Sequence, residues 1–272
     1  MREIKKLKTK KGRDESGLFT IEGEKFVQEI PPSWHVVQYI AAKHYADTHD
    51  LSRYEMRTKC EIVRDSIFDG LADTVSPQGI LAVCEQKHLK LNELFGTDTL
   101  YFFLLGESLN DPGNIGALIR TAAAAGANGV ILTAGSGDIY NPKVLRAAAG
   151  AVLRLPIVTN VDLSEAIAAL KQKNIPTYAA HPRGEKPPYH LNLQDNFCLL
   201  VGNESHGISQ TAQNLADALV TLPMANNTES LNASVAGSIL MYEAVRQRRS
   251  GCQGLSFTSQ RTACPCDREG QV

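Results

Sequence analysis

Hydrophobic and polar positions along the chain fall into two textures. From residue 100 onward, short apolar runs recur in LYFFLLGE, GVILTAG, IPTYAAHP, FCLLVGNE and ALVTLPM. Apolar residues at consecutive positions, without alternation, are the pattern of parallel strands covered on both faces. Helical segments stand between them: GNIGALIRTAAAAGA, NPKVLRAAAGA and finally SLNASVAGSILMYEAVRQRR. Asn141-Pro142 is a good helix start, a capping side chain followed by proline in the first turn. The pattern predicts an α/β domain over 100–250.

Before residue 95 the texture is more charged, with aromatics spread out. GLFTIEG reads as a strand and turn, GEKFVQEI as a short helix and GILAVCEQ as a strand, with WHVVQYIAAKHYA between them. This predicts a separate domain over 1–95, with the boundary near KLNELFGTDT. There is no internal repeat, and 251–272 reads as a disordered tail.

Composition changes this picture little. With 272 residues and 43% apolar content the chain can bury a real core. No stretch approaches the roughly 18 apolar residues of a membrane span. The N-terminus MREIKKLKTKKGRDE has no apolar segment behind its charges, so it does not read as a signal peptide, and a cytoplasmic location is expected. Cys84 and Cys198 sit inside apolar strands and read as buried thiols. Cys60 lies apart, and Cys252, Cys264 and Cys266 lack the paired spacing of a zinc site.

Charge adds one asymmetry. The net charge is -1, yet residues 1–13 hold Arg2, Lys5, Lys6, Lys8, Lys10, Lys11 and Arg13 against Glu3 alone. Such a run is a solvated tail or an attractor for a phosphate backbone.

Three polar segments sit where the strands of the second domain end. The first, NDPGNIGALIR, places Asn114, Gly116 and Arg120 at a helix start. In the second, LLVGNESHGIS, a strand stops in Gly202, Asn203 and Glu204, with Gly207 opening the next turn. The third is LPMANNTESLNAS. Ligands of open parallel sheets bind beyond the carboxyl ends of the strands, so the three loops look like one pocket. Each is also explicable as a capped helix start, since Asn114, Ser209 and Ser230 are good caps. Capping, however, requires neither Arg120 nor Glu204. No phosphate loop, dinucleotide fingerprint or nucleophile elbow is present, and the histidines do not cluster at metal-ligand spacing.

Together the three segments resemble the motifs of the SpoU, or TrmH-like, family of RNA ribose methyltransferases in the SPOUT class. The first family motif, N-x-G-x-x-x-R, stands here as Asn114, Gly116, Arg120. The second, G-x-E-x-x-G after an apolar strand, stands as Gly202, Glu204, Gly207. The third stands as Leu222, Pro223, Met224 followed by Ser230, Leu231, Asn232, Ser234. Gly17-Leu18-Phe19, Glu22-Gly23 and Pro77-Gln78-Gly79-Ile80 are similar to runs of the ribosomal-protein-like RNA-binding domain often fused to these enzymes.

The resemblance implies a parallel-sheet SPOUT domain with a deep trefoil knot, a smaller N-terminal α/β RNA-binding domain and a homodimer. It implies S-adenosylmethionine as cofactor, held by Gly202, Leu222, Met224 and Leu231, and no metal. Arg120 would clamp a phosphate or the developing alkoxide, because a guanidinium stays protonated. Asn114 would orient the ribose, Glu204 would hold Arg120 or Asn114 or accept the proton, and Ser230 and Asn232 would complete the polar wall. The expected substrate is large-subunit ribosomal RNA. The same chemistry on transfer RNA, and a non-catalytic RNA-binding or ribosome-assembly protein, stay open as alternatives.

Overall fold

A computed structural model describes residues 1–96, 100–226 and 228–252. Strands are β1 (Leu18–Glu22), β2 (Val36–Ala42), β3 (Cys60–Val63), β4 (Ile80–Glu85), β5 (Phe102–Gly106), β6 (Gly129–Thr133), β7 (Ile157–Val161), β8 (Thr177–Ala180), β9 (Phe197–Val201) and β10 (Ala218–Val220). Helices are α1 (Arg2–Lys6), α2 (Lys10–Ser16), α3 (Glu24–Gln28), α4 (Lys43–Ala46), α5 (Ser52–Glu55), α6 (Asp65–Leu71), α7 (Pro112–Ala124), α8 (Pro142–Ala148), α9 (Leu163–Gln172), α10 (Gln210–Leu215) and α11 (Ala233–Cys252). Residues 1–88, 111–120 and 137–154 form one compact unit, and the remaining described residues form a second.

The first unit is built on a four-stranded sheet in the order β1-β4-β2-β3, antiparallel except for the β2–β3 pair. Phe19 on β1 packs on Tyr140 at 4.4 Å between ring centres and edge-on to Trp34, whose indole N–H donates to the Leu153 carbonyl at 2.8 Å. Of the two readings left open for its basic N-terminus, the solvated tail does not hold. The run folds as α1 and α2, burying Ile4 and Leu7, with Thr9 capping α2. Three of its cations are committed locally, Lys6 to Glu3, Lys10 to Asp14 and Lys11 to Glu15, and Lys8 donates to the distant Ala72 carbonyl. Arg13, counted in the sequence among the cations available to a phosphate backbone, is 2% exposed and ion-paired to Asp138. Nearby, a Cβ on Gly12 would stand 2.1 Å from the Lys6 carbonyl oxygen, so only glycine lets α2 turn in against α1.

The second unit is a six-stranded, all-parallel sheet in the order β10-β8-β9-β5-β6-β7. Its three middle strands, β9, β5 and β6, are buried at every position, which is why they read as unbroken apolar runs. Three elements, β7, α9 and α10, lie outside the runs named above. Edge strand β7 exposes Thr159 and Asn160, and α9, capped by Asp162, turns Ala166, Ile167 and Leu170 inward. Helix α11 buries Leu240, Met241 and Ala244, while Arg248 lies over the rings of Phe102 and Phe197 and donates to the Leu193 carbonyl.

Cys84 and Cys198 are buried free thiols as expected, and burial pushes the Cys84 thiol up to about 12. Helix α11 runs on to Cys252. The rest of the segment expected to be disordered, with Cys264 and Cys266, lies outside the described residues. Among the described residues no helix is long and apolar enough to cross a membrane, and no group of three or more metal-ligating side chains forms.

Candidate functional site

The loop leaving β5 is knitted into the rest of the parallel sheet by four residues that carry no motif. The Glu107 backbone N–H donates to the Val201 carbonyl at 2.9 Å, continuing the β5–β9 pairing by one residue. Its buried carboxylate accepts the Ser209 N–H at 2.9 Å, and Ser209 in turn caps α10. Ser108 takes a left-handed conformation (φ 50°), unusual for a serine, and donates its N–H to the Thr133 hydroxyl at the end of β6. Its carbonyl accepts two side-chain amides, Asn203 at 2.7 Å and Asn110 at 3.1 Å. The loops after β5, β6 and β9 therefore form one hydrogen-bonded block.

Asn203 organises the loop after β9. Its backbone pairs both ways with Gly207 at 2.9 Å, while its Oδ1 accepts the Ser205 and His206 N–H groups at 2.9 and 3.2 Å. The turn closes so tightly that a Cβ on Gly202 would lie 2.3 Å from the Gly207 carbonyl carbon, and Gly207 itself sits at φ 68°. Both glycines are needed for the backbone to fold on itself. Glu204, carried by this loop, accepts the Asn110 N–H at 3.3 Å.

Motif one lies on α7. The Asp111 carboxylate accepts the Asn114 N–H at 2.8 Å, so Asp111 caps the start and Asn114, 8% exposed, stands inside the first turn. Gly116 serves packing: a Cβ there would meet the Ala147 Cβ at 2.4 Å and the Val144 carbonyl oxygen at 2.7 Å on α8. Arg120 is exposed and has no hydrogen-bond or ion-pair partner among the described residues. The next residue, Thr121, shares a hydrogen bond with Ser238 of α11 at 3.0 Å.

The third segment differs from its expected form. The strand ends at Val220, so Leu222, Pro223 and Met224 lie in irregular chain, and the last helix starts at Ala233. Ser230 and Leu231 precede that helix, leaving Asn232 as the capping residue. Its Oδ1 accepts from the Ser234 and Val235 N–H groups at 2.9 and 3.3 Å and from the Ser234 hydroxyl at 2.7 Å. Two of the donors at the helix start are thus already used. Met224 and Leu231, 38% and 37% exposed, offer an apolar surface on this otherwise polar stretch.

Glu107, Ser108, Asn110 and Thr133 were not among the residues expected at the site. A cluster of polar residues directly behind a fully buried strand is the signal that marks three of them. The left-handed turn at Ser108 leaves no mark in a serine codon position.

Residues 101–242 match the SpoU rRNA Methylase family, and residues 1–82 match the MRM3-like substrate binding domain. The chain is 34% identical to the 23S rRNA (guanosine(2553)-2'-O)-methyltransferase RlmP of Bacillus subtilis over 89% of its own length and 94% of the relative's. It is 34% identical to the 23S rRNA (guanosine-2'-O-)-methyltransferase RlmB of Ralstonia nicotianae, over 66% of this chain and 73% of that one. Among solved structures, the SpoU methyltransferase AviRb from Streptomyces viridochromogenes in complex with AdoMet superposes with a TM-score of 0.83. That match has 26% identity and covers 92% of this chain and 97% of that one. The AdoMet-bound rRNA methyltransferase from Sinorhizobium meliloti gives 0.79 at 26% identity, covering 90% and 93%.

Proposed function

The chain belongs to the SpoU rRNA Methylase family, and from that premise we propose that it transfers a methyl group from S-adenosylmethionine to a ribose 2′-hydroxyl of large-subunit ribosomal RNA. The observation that carries this reading is the hydrogen-bonded block formed by the loops after β5, β6 and β9, which holds motif two at the ends of parallel strands.

Gly202, Leu222, Met224 and Leu231 suit the cofactor. The Gly202 turn keeps side chains away from the main chain, and Met224 and Leu231 present apolar surface to an aromatic ring. When bound, S-adenosylmethionine supplies a methyl group already activated on a sulfonium, so the protein's task is placement.

Arg120, uncommitted within the described residues, clamps a phosphate or the alkoxide that develops at the ribose oxygen. Asn114 orients the ribose, and Glu204 accepts the proton that the hydroxyl loses. Ser230 stands on the wall, and Asn232 acts mainly by fixing the start of α11. The 2′-hydroxyl is what distinguishes RNA from DNA as acceptor.

Residues 1–95 bind the RNA and 100–250 carry the chemistry. The C-terminal segment is threaded as a trefoil knot, and the enzyme works in the cytoplasm as a homodimer. Val235, Ile239 and Tyr242 on α11 support the dimer: they are 46%, 44% and 53% exposed, and their spacing of four and three places them on one helix face.

The test is transfer of labelled methyl from S-adenosylmethionine to purified ribosomal and transfer RNA, with mapping of alkali-resistant positions. Label at one ribose of large-subunit RNA is expected. Label confined to transfer RNA would overturn the substrate, and cofactor binding without label in any RNA would overturn the activity.

A further inference from the structure

The first unit contains a cavity of about 400 Å³ that none of the motifs uses. Its volume falls within the roughly 300–1,000 Å³ of small-ligand sites. Strand β1, the start of α3, the loop 73–78 and helix α8 enclose it. The walls are apolar, with Ile21, Leu145, Val152 and Leu153 joined by the half-buried ring of Phe26. A flat aromatic ligand finds a stacking partner there.

The polar groups on the same walls are of three kinds. Two cations, Lys25 and Arg146, are exposed and have no ion-pair partner among the described residues. One amide, Gln78, uses its Oε1 to accept the Glu24 N–H at 2.7 Å, which leaves its NH₂ to donate. Two carboxyl groups differ in state. Glu22 is occupied by the Asp73 N–H at 2.6 Å and the Thr74 hydroxyl, whereas the Asp73 carboxyl has no hydrogen-bond partner among the described residues. Asp73 is exposed as a residue, yet desolvation at the apolar wall raises the pKa of its carboxyl.

A carboxylate with both oxygens free to accept, on the same walls as an amide that donates, matches the guanine edge with every group engaged. Guanine presents N1–H and N2–H₂ as adjacent donors and O6 as an acceptor, whereas adenine, cytosine and uracil each present a single donor group on that edge. The cations at the mouth suit the flanking phosphates. We propose that this cavity is an RNA subsite that receives one unpaired guanine of the substrate, with Asp73 on N1–H and N2–H₂, Gln78 on O6 and Phe26 against the ring. This rests on the reading that the substrate is RNA, and it concerns a nucleotide other than the one methylated.

The experiment titrates the full-length chain with the pentaribonucleotides UUGUU, UUAUU and UUUUU and with GMP. UUGUU is expected to bind about tenfold tighter than the other two pentamers, the worth of one charge-assisted hydrogen-bond pair. It should also outbind GMP, which carries a 5′-phosphate but none on the 3′ side or beyond. Asp73→Asn should abolish the preference for UUGUU over UUAUU, and Leu145→Trp, which fills the cavity, should remove binding of all three pentamers while S-adenosylmethionine affinity stays unchanged. Equal binding of the three pentamers, GMP binding as tight as UUGUU, or an unaltered preference in Asp73→Asn would each overturn the proposal. Should Leu145→Trp fail to fold, Asp73→Asn decides alone. Ribosomal RNA methylation measured alongside separates the two readings. Methylation with an unchanged KM in Asp73→Asn removes the subsite and keeps the activity. A guanine preference in a chain that methylates no RNA keeps the subsite and removes the activity.

Discussion

The Arg13 guanidinium closes on the Asp138 carboxylate at 2.6 Å through Nη2 and 2.8 Å through Nε, with Arg13 2% and Asp138 13% exposed at the side chain. A third donor, Nη1, reaches the Leu7 carbonyl at 2.7 Å. Removing the carboxylate strands a buried charge, whereas removing the guanidinium leaves a carboxylate that water can reach. Asp138→Ala is therefore expected to cost about 3–5 kcal/mol, and Arg13→Met clearly less. Urea midpoints measure both, and equal costs would mean that the pair is not the cause.

Arg120→Ala is expected to lower methyl transfer by at least about a hundredfold, the scale seen when one electrostatic stabiliser is removed. Because the same charge on a lysine lacks the planar fork, Arg120→Lys should recover only a small part. Cofactor affinity, measured by calorimetry, should be nearly the same in both variants. Wild-type turnover in Arg120→Ala would remove this residue from the mechanism.

For Asn232 the separable quantity is the cap. Asn232→Ala should destabilise the protein by about 1 kcal/mol, and Asn232→Ser should restore most of that because serine also caps. If Asn232 acts through α11 alone, methyl transfer recovers with stability in Asn232→Ser. A serine variant that is stable but inactive would assign the amide a direct part at the reacting ribose.

Alkaline pH tests the Tyr140 hydroxyl, which accepts the Lys87 N–H and donates to the Lys87 carbonyl, each at 2.8 Å. Burial pushes its pKa from 10.0 up to about 12. A raised folded-state value means that the neutral phenol stabilises the fold fully below pH 10, and that this contribution is lost as pH rises from 10 towards 12. The loss of stability per pH unit above 10 should be smaller in Tyr140→Phe, read from denaturant midpoints. Tyr39 and Tyr45 are also raised by burial, so some slope remains.

What the sequence revealed of the fold depended on how many neighbours an element has. Strands β5, β6 and β9 are covered on both faces and flanked on both edges, so every position but Thr133 at the end of β6 is apolar or glycine and the runs announce themselves. Edge strand β7 has one neighbour and spends Thr159 and Asn160 on solvent, so it needs no continuous run. At the N-terminus the lysines mask Ile4 and Leu7, and nothing in the letters says that Arg13 points inward.

The candidate site divides in a similar way. Its motif residues were legible because each has an unusual chemical identity for its place, as with an arginine and an asparagine on a helix of small residues. The supporting block was not, because it depends on conformation: Ser108 at a positive φ, and an Asn203 amide whose partner lies 95 residues earlier. The swap of capping duty from Ser230 to Asn232 is a shift of two residues between side chains that both cap well, and sequence alone does not rank them.

The pairing of β5 with β9, Phe102 against Phe197 through Gly106 against Val201, has a consequence for how the molecule comes into being. During synthesis β5 leaves the exit tunnel long before its central partner exists, and contacts this distant in sequence are slow to form. Ser108 has no Asn203 to receive, and Glu107 no Ser209 to hold, until translation has passed residue 209. A growing chain thus carries the support of its candidate site in pieces, and the loop after β5 stays unanchored until the loop after β9 has been made.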